Sequence, residues 1–179
     1  MEYKLATSTW GSSEINAIQE VIKADKFSMG RKVEEFEEQF AQFFGSKYAL
    51  MCSSGSTANL LMVASLFYSK KPKLKLGDEI IVPAVSWSTT YFPLQQYGLK
   101  LKFVDIDIES LNYDLDALKS AVSSKTKAIM AVNLLGNSND FKKINDIIKT
   151  KNIIVIEDNC ESMGAKFKDK FCGTYGLMG

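Results

Sequence analysis

The sequence has no histidine in 179 residues. That absence excludes a Ser-His-Asp triad, a Cys-His pair and any histidine metal ligand from these residues. Arginine is almost as scarce, because Arg31 stands alone among 22 basic side chains. A clamp of several arginines is therefore unavailable, and a phosphate site must rest on backbone amides and hydroxyls. Cysteine is limited to Cys52, Cys160 and Cys172. An odd, widely spaced set without CxxC is neither a disulfide framework nor a zinc site, and reads as reduced thiols in a cytoplasmic protein. Charge of one sign is also lacking, with 22 basic against 21 acidic side chains. A nucleic-acid partner held by bulk electrostatics is excluded on that balance. The longest apolar run, Leu60–Phe67, is too short to span a bilayer, and Met1–Leu5 carries no signal-peptide core.

What is present is an apolar fraction of 46%, ample for a buried core. Ser12-Ser13-Glu14 opens a helix with Ile15, Ile18, Val21 and Ile22 on one face. A loop over Asp25–Gly30 precedes a second helix, Arg31–Phe44, with Gly45 at its C-terminal cap. Tyr48–Cys52 reads as a short strand and Thr57–Ser69 as a helix. Beyond a lysine-rich connection the pattern alternates. Strands are expected at Glu79–Val82, Leu101–Val104, Lys127–Val132 and Ile153–Ile156. Helices are expected at Ser88–Gly98, Asp114–Val122 and Asp140–Lys151. Ser162–Gly179 carries turn residues and a charged stretch. Short apolar strands alternating with amphipathic helices predict an α/β fold, a mostly parallel sheet with helices on both faces. The chain stops at Gly179 within a glycine-rich run and without a closing element, which reads as a truncation.

In open α/β sheets, ligands bind beyond the carboxyl ends of the strands. Three such ends carry unusual residues. The first is Ser53-Ser54-Gly55-Ser56-Thr57, where Gly55 permits close approach. Ser56 and Thr57 offer amides, hydroxyls and a helix dipole to a phosphate there. An ordinary serine/threonine helix cap is the competing reading. Neither GK[ST] nor GxGxxG occurs, so this is not a P-loop or a dinucleotide turn. The second end is Pro83–Ser88, where Trp87 is either a stacking platform or a buried anchor. The third is Glu157–Glu161, where Asp158 either meets a cationic nitrogen or caps the next turn. An anion, a flat ring and a cationic nitrogen together describe pyridoxal 5'-phosphate (PLP), whose ring is an electron sink when an aspartate keeps its nitrogen protonated.

The ordered segments GRKVEEFE (30–37), SSGSTANL (53–60), GDEIIVPAVSW (77–87), FVDID (103–107), IEDNCESMGA (156–165) and GTYG (173–176) carry a family likeness. The chain resembles the PLP-dependent nucleotide-sugar aminotransferases of the DegT type, which have the aspartate aminotransferase fold. The resemblance implies that residues 31–179 are the large PLP-binding domain, incomplete at its C-terminus. Residues 1–30 would be an N-terminal helix and a substrate or interface loop. It implies that Gly55, Ser56 and Thr57 bind the phosphate, Trp87 stacks on the ring and Asp158 meets the pyridine nitrogen. Glu161 falls where most members have glutamine, near the phenolic oxygen.

That glutamate, with Asn159, Cys160 and Ala84–Trp87, is similar to the branch that removes the 3-hydroxyl of 4-keto-6-deoxy sugars. That branch uses pyridoxamine 5'-phosphate (PMP) and a histidine in place of the Schiff-base lysine. The deciding residue is expected beyond Gly179. The implied setting is deoxysugar or surface-polysaccharide (lipopolysaccharide) biosynthesis, with a nucleotide-sugar substrate, a homodimer and a cytoplasmic location. The alternatives are a non-catalytic α/β module that binds a phosphate ligand, and a nucleotide-binding domain with the wrong turn chemistry.

Overall fold

The computed structural model describes residues 7–179, so the Met1–Leu5 opening lies outside the described residues. Four parallel strands form the main sheet in the order β2-β1-β3-β4. They are β1 (Glu79–Pro83), β2 (Lys100–Val104), β3 (Thr126–Val132) and β4 (Ile154–Asp158). Helices α1 (Ser12–Lys23), α2 (Arg31–Phe44) and α3 (Gly55–Tyr68) come first in the chain. Then α4 (Ser88–Gln96), α5 (Leu115–Ala121) and α6 (Phe141–Ile148) connect successive strands.

Side chains alternate across a strand, so each strand feeds two cores. Ile80, Val82, Ala128, Met130 and Ile156 meet Val63 and Leu66 of α3 and Leu94 of α4 on one face. Ile81, Ile129, Ala131 and Val155 meet Leu118 of α5 and Phe141 and Ile144 of α6 on the other. Handedness accounts for this division. The chain moves from β1 outward to β2 and then crosses back past β1 to β3. Right-handed crossovers in opposite directions place α4 on one face and α5 and α6 on the other. Local chemistry sets the helix starts. Asp114 caps α5 by accepting from the Asp116 and Ala117 amides, and Asp140 caps α6 by accepting from Lys143 N. Tyr113, buried at the β-sheet face, donates to the Met130 carbonyl at 2.6 Å, and burial pushes its phenol well above the ordinary value.

The structure corrects several expectations. Tyr48–Cys52 forms no strand. Its Tyr48, Leu50 and Met51 are exposed, and Met51 N donates to the Glu37 carboxylate rather than to a neighbouring strand. An apolar run signals a demand for burial but does not supply a sheet edge. The free edge of β4 is met by the 177–178 segment, with Leu177 N donating to Val155 O and Glu157 N to Met178 O. The third functional strand runs through Asp158 instead of stopping at Ile156. The charged tail contains an unforeseen antiparallel hairpin, β5 (Lys166–Phe167) with β6 (Lys170–Phe171). The last helix ends at Ile148, short of Lys151. Among the described residues, no helix is long and apolar enough to cross a membrane.

Candidate cofactor site

The strand order reverses direction between β1 and β3. Their carboxyl ends therefore flank a crevice from which the connections diverge to opposite faces, the position where open α/β sheets hold ligands. The segments singled out from sequence lie around this edge.

The first is the start of α3. Ser54 is its N-cap, with its hydroxyl accepting from Thr57 N, while Thr57 Oγ1 accepts from Ser54 N. Thr57 thus performs the capping role that competed with phosphate binding. The Gly55 and Ser56 amides and the Ser56 hydroxyl have no protein partner among the described residues and are exposed. Two free amides at the positive end of a 14-residue helix form an anion seat. Gly55 faces Cys160, since a Cβ there would stand 3.7 Å from its Sγ.

Asp158 joins the three segments, although the first follows no strand and enters through the start of α3. It is buried, and its Oδ2 accepts from Asn59 Nδ2 at 2.9 Å and from Thr90 Oγ1 at 2.7 Å. Asn59 belongs to α3, behind the Gly55 turn, and Thr90 to α4, one turn beyond Trp87. Ser86 extends the network to Thr90 at 2.8 Å. Among the described residues, Asp158 Oδ1 accepts only from Cys160 N, at 3.2 Å. The turn-capping alternative is therefore also realised, but it uses one of the roughly four acceptor positions of a carboxylate. Three are filled, and one on Oδ1 remains open to a cationic N–H.

Sequence reasoning missed Asn59 and Thr90, although a signal was present. Pro93 has no N–H and so frees the carbonyl of residue 89 within α4. Asn59 Nδ2 donates to that Thr89 carbonyl at 3.4 Å as well as to Asp158. Pro93 was visible in the sequence as a freed carbonyl, while the asparagine that meets it is apparent only from the packing of α3 on α4.

Trp87 is 73% exposed, which removes the buried-anchor reading and leaves its indole free to stack. Glu161 is exposed and accepts from Leu135 N at 2.9 Å, which ties the turn after β4 to the turn after β3. Leu135 has φ +52°, and the carboxylate holds that strained turn in place. A cleft of about 780 Å³ begins at Gly55 and Asp158 and runs back along α3, between Tyr48–Leu50 and Gly176–Gly179. Ser56, Thr57, Trp87 and Glu161 lie outside its walls. The donor set fits a phosphate-bearing pyridinium: amides and a hydroxyl for the anion, an open carboxylate acceptor for the nitrogen and an exposed indole for the ring.

The profile of the DegT/DnrJ/EryC1/StrS aminotransferase family matches residues 9–179. The GDP-4-keto-6-deoxy-D-mannose 3-dehydratase of Yersinia pseudotuberculosis is 64% identical over all 179 residues, which are 46% of that protein. Among solved structures, the Escherichia coli GDP-4-keto-6-deoxy-D-mannose-3-dehydratase with bound hydrated PLP is 65% identical, with a TM-score of 0.97. That match covers 99% of this chain and 46% of the enzyme. A histidine-to-asparagine variant of GDP-4-keto-6-deoxymannose-3-dehydratase with bound GDP-perosamine matches at 64% identity and a TM-score of 0.96, over 98% of this chain and 46% of its own. The chain thus spans under half the length of these relatives.

Proposed function

We propose that this chain, which belongs to the DegT/DnrJ/EryC1/StrS aminotransferase family, forms the cofactor-binding part of a PLP- or PMP-dependent enzyme acting on a nucleotide-linked 4-keto-6-deoxy sugar. Removal of the sugar's 3-hydroxyl is the reaction favoured over transamination, since the relatives at 64% identity are 3-dehydratases. The observation that carries the reading is Asp158, a buried carboxylate held by Asn59 of α3 and Thr90 of α4, with one acceptor position open. When bound, the cofactor supplies a cationic ring that draws electron density from the attached sugar carbon.

The chain's own residues bind and orient. The Gly55 and Ser56 amides and the Ser56 hydroxyl hold the phosphate. Trp87 covers one ring face and keeps water from it. Asp158 holds the proton on the ring nitrogen, and Asn59 and Thr90 keep Asp158 aimed. Glu161 stands on the phenolic-oxygen side, with its carboxylate anchored by Leu135 N. Proton transfer at the sugar falls to a residue beyond Gly179, histidine for dehydration and lysine for transamination.

A homodimer with residues up to Gly30 at its interface accords with α1, which buries nothing and exposes Ile15, Ile18 and Ile22. A cytoplasmic location accords with a nucleotide-sugar substrate and with reduced thiols. Spectral titration of the full-length protein with PLP tests the reading. A saturable absorbance change is expected, weakened by Asp158→Ala, and its absence refutes the proposal. Borohydride then separates the reactions, because it fixes cofactor covalently on a lysine enzyme and leaves a histidine enzyme unlabelled.

A further inference from the structure

Glu157 is the residue before Asp158, and its side chain points the other way across β4. It is 1% exposed, in a sheet whose buried side chains are mostly aliphatic. A buried carboxylate is costly unless every lone pair is used. Here the partners are all on the 173–176 segment and on Asn133, just past the end of β3. Oε1 accepts from Tyr175 N at 2.7 Å and from Gly176 N at 2.5 Å. Oε2 accepts from Gly173 N at 2.7 Å and from Asn133 Nδ2 at 3.3 Å. Three amides of the four-residue Gly173–Gly176 turn therefore converge on one side chain. Such a concave set of N–H groups is a nest, the arrangement proteins use to seat anions, and here the anion is the protein's own.

The two glycines explain why the segment can come this close. Gly173 has φ +88°. A Cβ on Gly176 would lie 2.7 Å from the Val155 carbonyl oxygen, so no side chain fits. Asn133 links this clasp to Asn159 through a 2.8 Å bond to Oδ1. Among the described residues, Asn159 Nδ2 is buried without a partner, facing the Gly173 and Gly179 backbone.

We propose that Glu157 is a positioning residue for the cofactor site. It locks the Gly173–Gly179 segment to the strand that carries Asp158, so that the cleft floor and the ring-nitrogen acceptor keep a fixed separation. The inference rests on the cofactor reading above. It also gives the GTYG motif a physical role, in which the glycines clear space and the amides fasten the segment at the edge of the site.

Glu157→Gln in the full-length protein tests this. The amide keeps the size of the side chain but turns one acceptor into a donor facing other donors. We expect hydrogen exchange at Gly173, Tyr175 and Gly176 to accelerate while Ile129 and Met130 in β3 stay protected. We expect the Kd for PLP to rise about tenfold, as loss of a buried hydrogen bond predicts. The pH midpoint of the bound-cofactor absorbance should move as well. If Glu157→Gln does not fold, Asn133→Asp, which sets a second carboxylate beside the first, is expected to act in the same direction. A variant with lowered Tm but unchanged Kd and unchanged pH midpoint would reduce Glu157 to a structural role and overturn the proposal. Unchanged exchange at the three amides would overturn it too. Failure of the wild type to bind PLP would refute the cofactor reading, and the positioning role with it, while the exchange data still report the clasp itself.

Discussion

The sheet and the N-terminal region follow the same sequence rule with opposite outcomes. In the sheet, the apolar residues of β1, β3 and β4 are sealed by helices on both faces, and Ile80, Ile81, Ile129 and Met130 are fully buried. In the N-terminal region, α1 and α2 are as amphipathic as any surface helix, yet α1 buries no residue and α2 buries only Ala41. Trp10, Ile18, Phe27, Phe36, Phe43 and Leu50 remain exposed. Periodicity reports which face a helix needs to bury, while the element that covers it is a separate matter. The carboxyl edge of the sheet belongs to the first kind of region, and for that reason it can hold Asp158 rigidly.

The largest contrast is in stability. Ile129→Ala is expected to cost about 2–5 kcal/mol through lost burial and a cavity, whereas Ile18→Ala should change the monomer by no more than about 0.5 kcal/mol. Urea unfolding of both variants measures the difference, and equal costs would break the comparison. Next, Ile18→Asp combined with Ile22→Asp should convert a dimer into a monomer on sedimentation and leave the sheet's circular dichroism unchanged. A smaller effect is expected for Thr90→Val, which removes one of the two donors to Asp158 Oδ2. PLP affinity should fall about fivefold to tenfold, the range for a single hydrogen bond of roughly 1 kcal/mol or slightly more. Asn59→Ala should act in the same direction, and calorimetry reads both.

The smallest effect concerns thiol chemistry. Burial, with the Glu157 carboxyl nearby, pushes the Cys172 thiol up to about 11. A raised value means less thiolate at neutral pH, so alkylation at pH 8 should spare Cys172 and modify the exposed Cys160. Peptide mass mapping reads the outcome.

The alternating half of the chain was legible because its signals are local. Strand runs such as Glu79–Val82 lie between turn residues, and Asp114 and Asp140 announce their helices as caps. Once the strand order β2-β1-β3-β4 is known, the two-faced core follows from crossover handedness, but the order itself was not read from the sequence. Tyr48–Cys52 was misread because its composition states a burial preference and contains nothing about a partner edge. At the site, Trp87 and Asp158 were singled out from the ends of strands that form, whereas Gly55 and Ser56 were singled out from an expected strand that does not form, and the helix start of α3 carries them instead. Asn59 and Thr90 were not singled out, because they act from inside helices and their meaning arises only when α3 and α4 pack side by side. Glu157 was overshadowed by Asp158, since one residue's shift along a strand reverses the face and with it the role.

The measurement that bears most directly on the central claim is the absorbance of the full-length protein titrated with PLP, beside its Asp158→Ala variant. The account predicts a saturable spectral change in the wild type. It also predicts an affinity lower by about tenfold to a hundredfold in the variant, the size of a hydrogen bond to a charged group, with circular dichroism unchanged. No spectral change in the wild type, or equal affinity in the two proteins, would contradict it.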